Sequence, residues 1–243
     1  MKHSKVDIED LVKKQIALFR ANEIEAERIQ RAGRGNEGKL AFGPYLLISR
    51  EKGAGGSAVG QLAAKRLGWH LFNNEIVDAI AQKAHVRREL VESLDEHDRE
   101  TVRDAVHRLL HPQPVDTDGY RATLHEILLT LGHQGNVVIV GRGAEYVLPS
   151  RFGLRVRMVA PVEVRVTRVA SGGNLSLDAA RAEVERSDRE RAKLTQRYFG
   201  KDPREPWNHD VTINTAELST EAATEIVLTG LQRKLGIQLD GSK

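Results

Sequence analysis

Leu46-Leu47-Ile48-Ser49-Arg50-Glu51-Lys52-Gly53-Ala54-Gly55-Gly56-Ser57 decides the reading of this chain. A short apolar run, the length of a buried strand, stops at a turn with three glycines in four residues. Ser57 to Leu67 then carries helical spacing, with Gly68 as its stop. Strand, glycine-rich turn and helix together form the arrangement in which backbone N–H groups and a helix N-terminus hold a phosphate chain. The pattern G-x-x-x-x-G-K-[ST] is nevertheless broken twice. Arg50 occupies the place of the first glycine, and Gly56 the place of the lysine. Ser57 either caps the helix or supplies the hydroxyl that meets Mg²⁺ in such loops. Lys52 and Arg50 remain as cations that can reach back over a phosphate.

The rest of the chain is compatible with a soluble phosphate binder. Its 243 residues are 40% apolar and 29% charged, the balance of a globular protein. No apolar run approaches the roughly 20 residues that span a bilayer, so no membrane role is expected. The polar start, Met1 to Asp10, does not read as a secretory signal. There is no cysteine, which excludes disulfides and thiolate metal sites and fits a cytoplasmic location. The net charge of +3 is too small to argue for nucleic acid.

From Tyr45 onward, strand-like and helical runs alternate. Strands are expected at Leu46–Ser49, Trp69–Phe72, Val137–Val140, Leu154–Val159 and Asp210–Ile213. Helices are expected at 75–84, 87–110 and 120–131, after Pro161, and at Thr220–Leu235 with Gly236 beyond. Such alternation implies a parallel sheet with helices on both faces and a ligand at the strand C-termini. Arg155 and Arg157 alternate with Leu154, Val156 and Met158, which suggests a strand near an edge or one lying beneath a bound phosphate. Residues 1–43 read as an amphipathic helix and a glycine-rich linker, and 44–243 as the main domain. The N-terminal helix packs on that domain or carries self-association, leaving a homo-oligomer open.

Two further stretches carry chemistry. Flanking glycines free Arg142 in Gly141-Arg142-Gly143 at the tip of the most apolar strand, where a guanidinium can grip a phosphate bidentately. Nearby Glu145 starts a helix or binds metal through water. Residues 186–204 hold seven basic residues against three acidic ones. Either they form a lid (about 186–206) closing over polyphosphate, or they are a solvated helix face with pairs such as Glu185 and Arg189. Zincin, nucleophile-elbow and dinucleotide-binding motifs are absent, and no acid ends the strand Val137–Val140.

Taken in order, several segments resemble the cytidylate-kinase-like branch of the P-loop nucleoside monophosphate kinases. They are Ile48 to Gly56, Leu71 to Val77, Val138 to Ala144, Asp188 to Gly200 and Val211 to Thr215. The resemblance implies an α/β three-layer P-loop fold: a parallel sheet of about five strands flanked by helices, with a helical lid and an N-terminal helix appendage. It also implies ATP and Mg²⁺ as cofactors and transfer of the γ-phosphoryl group to a small nucleotide, CMP or dCMP first. On that resemblance Gly53, Ala54, Gly55, Gly56 and Ser57 bind the ATP phosphates, with Ser57 also on the metal. Arg142 binds the acceptor phosphate, Asn73 stands where relatives tend to place an acid near the acceptor, and Arg189 and Arg191 act from the lid. Lys52 and Arg50 are the candidates for the missing lysine. Two other readings stay open: a nucleotide-binding regulatory protein with little or no turnover, and a kinase for another small phosphate acceptor.

Overall fold

The computed structural model describes residues 42–73 and 117–238, with side chains from 124 onward in the second stretch. The expected helices at 1–43, 75–84 and 87–110 lie outside the described residues. The chain divides into two compact units, Met1–Ala41 with Glu75–Thr130 and Phe42–Asn74 with Leu131–Lys243. All five strands and both glycine-rich turns belong to the second.

The described elements run in chain order as β1 (Tyr45–Arg50), α1 (Gly56–Leu67) and β2 (His70–Asn73). They continue with α2 (Thr117–Gln134), β3 (Val137–Val140), α3 (Ala144–Val147) and β4 (Gly153–Val159). The last are α4 (Val162–Gly173), α5 (Leu177–Phe199), β5 (Val211–Asn214) and α6 (Thr220–Leu235). The five strands form one sheet in the order β2-β3-β1-β4-β5, and every neighbouring pair is parallel. The expected α/β sheet is therefore present, with β1 at its centre.

Register follows from the apolar runs. Leu46 faces Val138 and Leu154, and Ile48 faces Val140 and Val156. These residues share one sheet face, where Val59 and Ala63 of α1 and Ala223, Val227 and Leu231 of α6 complete a fully buried cluster. Tyr45, Leu47, Val137 and Ile139 alternate with them and are as fully buried. A sheet buried on both faces requires this near-continuous hydrophobicity.

Helix ends fall at the expected stops. Gly68, Gly200 and Gly236 adopt left-handed conformations, and their N–H groups satisfy carbonyls of the last turns of α1, α5 and α6. Ser176 and Ser219 cap α5 and α6 by accepting from Ala179 N and Ala222 N. One expectation needs correction. The N-cap of α1 is Gly55, so Ser57 is the second residue of the helix and is no cap. The strand with alternating arginines, β4, lies one strand in from the edge, between β1 and β5. Its two arginines survive there because each has partners: Arg155 meets Asp210 at 2.9 Å, and Arg157 turns to Ser49 and Glu51.

Candidate active site

The C-terminal edge of the sheet carries two turns side by side. The first follows β1. Gly53 and Gly55 take φ of 81° and 78°, and the loop then enters α1. A Cβ on Gly53 would stand 2.7 Å from Arg165 O, so this glycine lets the loop lie against α4. A Cβ on Gly55 would meet nothing within 4 Å, so Gly55 presents its backbone to open space. Ala54 is fully buried beneath, and its carbonyl accepts from Thr215 Oγ1 at 3.0 Å. Gly56 is buried at the start of α1, and Ser57 is exposed beside it.

Carboxylates fix the loop from two sides. Glu51 lies 3.4 Å from Arg157 and 3.4 Å from Arg165. Asp188 of α5 accepts from Lys52 N at 2.9 Å and pairs with Arg165 at 2.5 Å and Arg191 at 3.1 Å. The Lys52 ammonium is 3.5 Å from Glu183, also on α5. Lys52 thus fastens the loop to the helix and does not line the cavity described below.

The second turn follows β3. Gly141, Arg142 and Gly143 are all left-handed, with φ of 89°, 60° and 67°. For Arg142 this conformation costs on the order of 1 kcal/mol, and neighbours impose it. The Gly141 N–H donates to Ile48 O at 2.9 Å. A Cβ on Gly143 would lie 2.1 Å from the Phe199 ring, which itself packs on Tyr146 with centroids 5.2 Å apart. The end of α5 therefore presses the turn against the sheet.

Between the two turns and α5 lies a cavity of about 340 Å³. Its walls include Arg50, Arg142, Arg157, Arg189, Arg191 and Arg204 against three carboxyls, Glu51, Glu145 and Asp188. Arg157 is only 7% exposed yet reaches this wall, donating to Ser49 Oγ at 3.3 Å. Burial is the main influence lowering the pKa of Arg191; Asp188 opposes it, and Arg142 and Arg165 add to it by proximity. Burial likewise pushes the Glu145 carboxyl up, against its own backbone hydrogen bond, Ser49, Arg157 and Arg50. His209, its side chain wholly buried 4.0 Å from Glu145, is held down at about 4 by burial and then by Arg157 and Arg155. So dense a guanidinium wall is a site for a multiply charged anion.

Of the residues expected from sequence, Arg50, Arg142, Arg189 and Arg191 meet at this cavity. Arg189 also makes the surface pair with Glu185, at 3.5 Å. Asn73 ends β2 beside Val140, on the same sheet edge but outside the cavity wall. Gly55 borders a second concavity of about 300 Å³, together with Arg168, Thr215 and Leu218. Arg168 is oriented there by Thr215 O and, at 3.3 Å, Ala216 O. Sequence reasoning missed Asp188 as part of the site and reached Arg157 only as one alternative, a strand beneath a bound phosphate. The signal for Arg157 was present: a charge at alternate positions of a strand flanked by all-apolar ones.

Known proteins carry the same plan. A crystal structure of an uncharacterized protein from Eubacterium ventriosum superposes with a TM-score of 0.59 at 17% identity, covering 77% of this chain and 98% of that one. That likeness shows the fold. A cytidylate kinase of Halobacterium salinarum is 24% identical over 184 residues, 75% of this chain and 86% of its own. One from Sulfolobus acidocaldarius is 28% identical over 109 residues, 45% of this chain and 60% of that protein's length. The sequence profile of the cytidylate kinase-like family matches residues 46–217, from β1 through the loop after β5. Sheet order, glycine-rich turns and this continuous match agree, and the chain belongs to the cytidylate kinase-like family.

Proposed function

We propose that this chain transfers the γ-phosphoryl group of ATP to a nucleoside monophosphate, with CMP or dCMP as the first acceptor to test. The observation that carries the reading is the cavity at the sheet's C-terminal edge where six arginines converge between two left-handed glycine turns. Phosphoryl transfer calls for positioning and charge neutralisation more than for covalent help, and such a wall supplies both. The terminal P–O bond of ATP breaks with its electron pair going to ADP, and the acceptor's phosphate oxygen forms the new bond to phosphorus. No proton need move if the acceptor phosphate is a dianion.

The residues fit a nucleotide triphosphate. Gly55 has open space before it, and the N-terminus of α1 carries no acidic side chain that would repel an anion. The concavity beside Gly55, Arg168 and Thr215 suits the donor nucleoside. Among the described residues no group of three acidic or histidine side chains forms a metal cage. Mg²⁺ commonly binds through phosphates, water and one hydroxyl or carboxylate, and the exposed Ser57 hydroxyl is assigned to it. When bound, the metal neutralises the phosphates. Arg142 is assigned to the acceptor phosphate, and Arg189 and Arg191 cover the transferring group from α5. Segment 186–206 acts as the lid, and the setting is an intracellular nucleotide pool.

The test is ADP formation from Mg·ATP with CMP, dCMP, UMP, AMP and GMP in turn, with Arg142→Ala as control. Turnover with one acceptor that is lost in the control supports the kinase. The absence of a lysine at position 56 favours a second reading, a nucleotide-binding regulatory protein. ATP binding without acceptor-dependent ADP would select it.

A further inference from the structure

The two departures from the P-loop pattern, Arg50 for glycine and Gly56 for lysine, touch each other in three dimensions. A Cβ on Gly56 would lie 2.6 Å from Arg50 Cβ, 3.1 Å from its Cγ and 3.3 Å from Met158 Cγ. Arg50 Cβ is fixed to the last residue of β1, so no rotamer change removes that collision. A side chain at 56 and the Arg50 stem are mutually exclusive. At its far end Arg50 makes a second demand. A Cβ on Gly141 would lie 2.0 Å from Arg50 Nη1 and 3.1 Å from Cζ. Glycine at 56 makes room for the stem, and glycine at 141 makes room for the guanidinium. That guanidinium lines the arginine-walled cavity next to Arg142.

A lysine at 56 would extend from the first turn of α1, whereas Arg50 extends from the rigid end of the central strand. Both start at the glycine-rich loop. The geometry points to a transposition of the loop's cation: Arg50, threaded between Gly56 and Gly141, takes over the phosphate contact that a lysine at 56 would make. This rests on the kinase reading above. Arginine suits the longer reach, because its planar fork donates two parallel hydrogen bonds to phosphate oxygens and stays charged. The Lys52 ammonium is turned to Glu183, its backbone N–H donates to Asp188, and it does not compete for the role. The structural alternative is that Arg50 only offsets the buried Glu145 carboxyl.

Five proteins separate these accounts: wild type, Arg50→Met, Arg50→Lys, Gly56→Lys and the double variant Arg50→Gly/Gly56→Lys. Each is titrated with Mg·ATP and with Mg·ADP by calorimetry, melted thermally, and assayed for ADP formation with the best acceptor. Arg50→Met keeps an alkyl stem in the Gly56 notch, so it should melt near wild type while binding ATP roughly tenfold or more weakly. Its turnover should fall about a hundredfold. Arg50→Lys should fall between the two. Gly56→Lys should melt lower and bind worse, and the double variant should recover both relative to it. Arg50→Met with wild-type affinity and rate, or a double variant that melts and binds no better than Gly56→Lys, overturns the transposition while leaving the kinase reading standing. A wild-type protein that binds neither nucleotide overturns both. If it binds nucleotide but turns over no acceptor, the affinities alone decide.

Discussion

The glycine-rich loop after β1 and the Gly141–Gly143 turn after β3 occupy neighbouring positions on one sheet edge, yet they are built oppositely. The loop holds its left-handed positions with glycine alone, and its lysine is consumed in fastening it to α5. The turn places a non-glycine residue, Arg142, in the left-handed region between two glycines, and that side chain reaches the cavity. In the loop, the backbone at Gly55 faces open space and the Lys52 side chain serves structure. In the turn the roles reverse. A family motif read only as a row of glycines conceals this division.

The comparison breaks most sharply at Arg142. Arg142→Ala should reduce kcat/KM for the acceptor about a hundredfold or more. Arg142→Gly should lose activity equally while raising stability by about 0.5–1 kcal/mol, because glycine relieves the left-handed strain. Denaturant unfolding beside the ADP assay checks both, and a less stable Arg142→Gly would refute the strain. Next come the glycines. Gly143→Ala drives a methyl into Phe199 and should cost about 1–3 kcal/mol. Gly55→Ala meets no atom within 4 Å, so it should cost about 1 kcal/mol for its positive φ alone and show itself mainly as weaker ATP binding.

Beneath the turn, His209 sharpens the contrast through pH. Its folded pKa of about 4 lies below the value of about 6.5 in the unfolded chain. The unfolded state therefore binds the extra proton, and stability falls as pH drops from about 6.5 to about 4, by up to roughly 3 kcal/mol. Below that window the effect is complete. His209→Gln should flatten this stretch of the pH–stability curve, and an unchanged slope would remove His209 as its cause. The smallest effect belongs to Lys52. Its pair with Glu183 is partly exposed, so Lys52→Ala should cost at most about 0.5 kcal/mol and change the rate by less than threefold. A large loss of kcat would instead return Lys52 to the chemistry.

Most of the fold was legible in the sequence. Val137–Val140 and Thr220–Leu235 agree residue for residue with β3 and α6, and the other described strands differ by one residue at one or both ends. Apolar runs, serine caps and glycine stops act over a few residues, so a local reading finds them. The site was legible in part. Arg142 announced itself by its glycines, but Arg157 was legible only as one residue of a strand near an edge or beneath a bound phosphate. Its place depends on β1 lying next to β4, a pairing between segments more than 100 residues apart.

The sequence by itself determined the alternation of strands and helices, the left-handed stops and the two glycine-rich turns, because each arises from contacts within a turn or two of chain. Only the tertiary structure decided which cations serve the cavity. The Lys52 ammonium pairs with Glu183 on the distant helix α5, and Lys52 does not line the cavity. Arg50 passes between Gly56 and Gly141 and is brought into it. A charge acts over a few ångströms, and that proximity is set by the packing of distant segments.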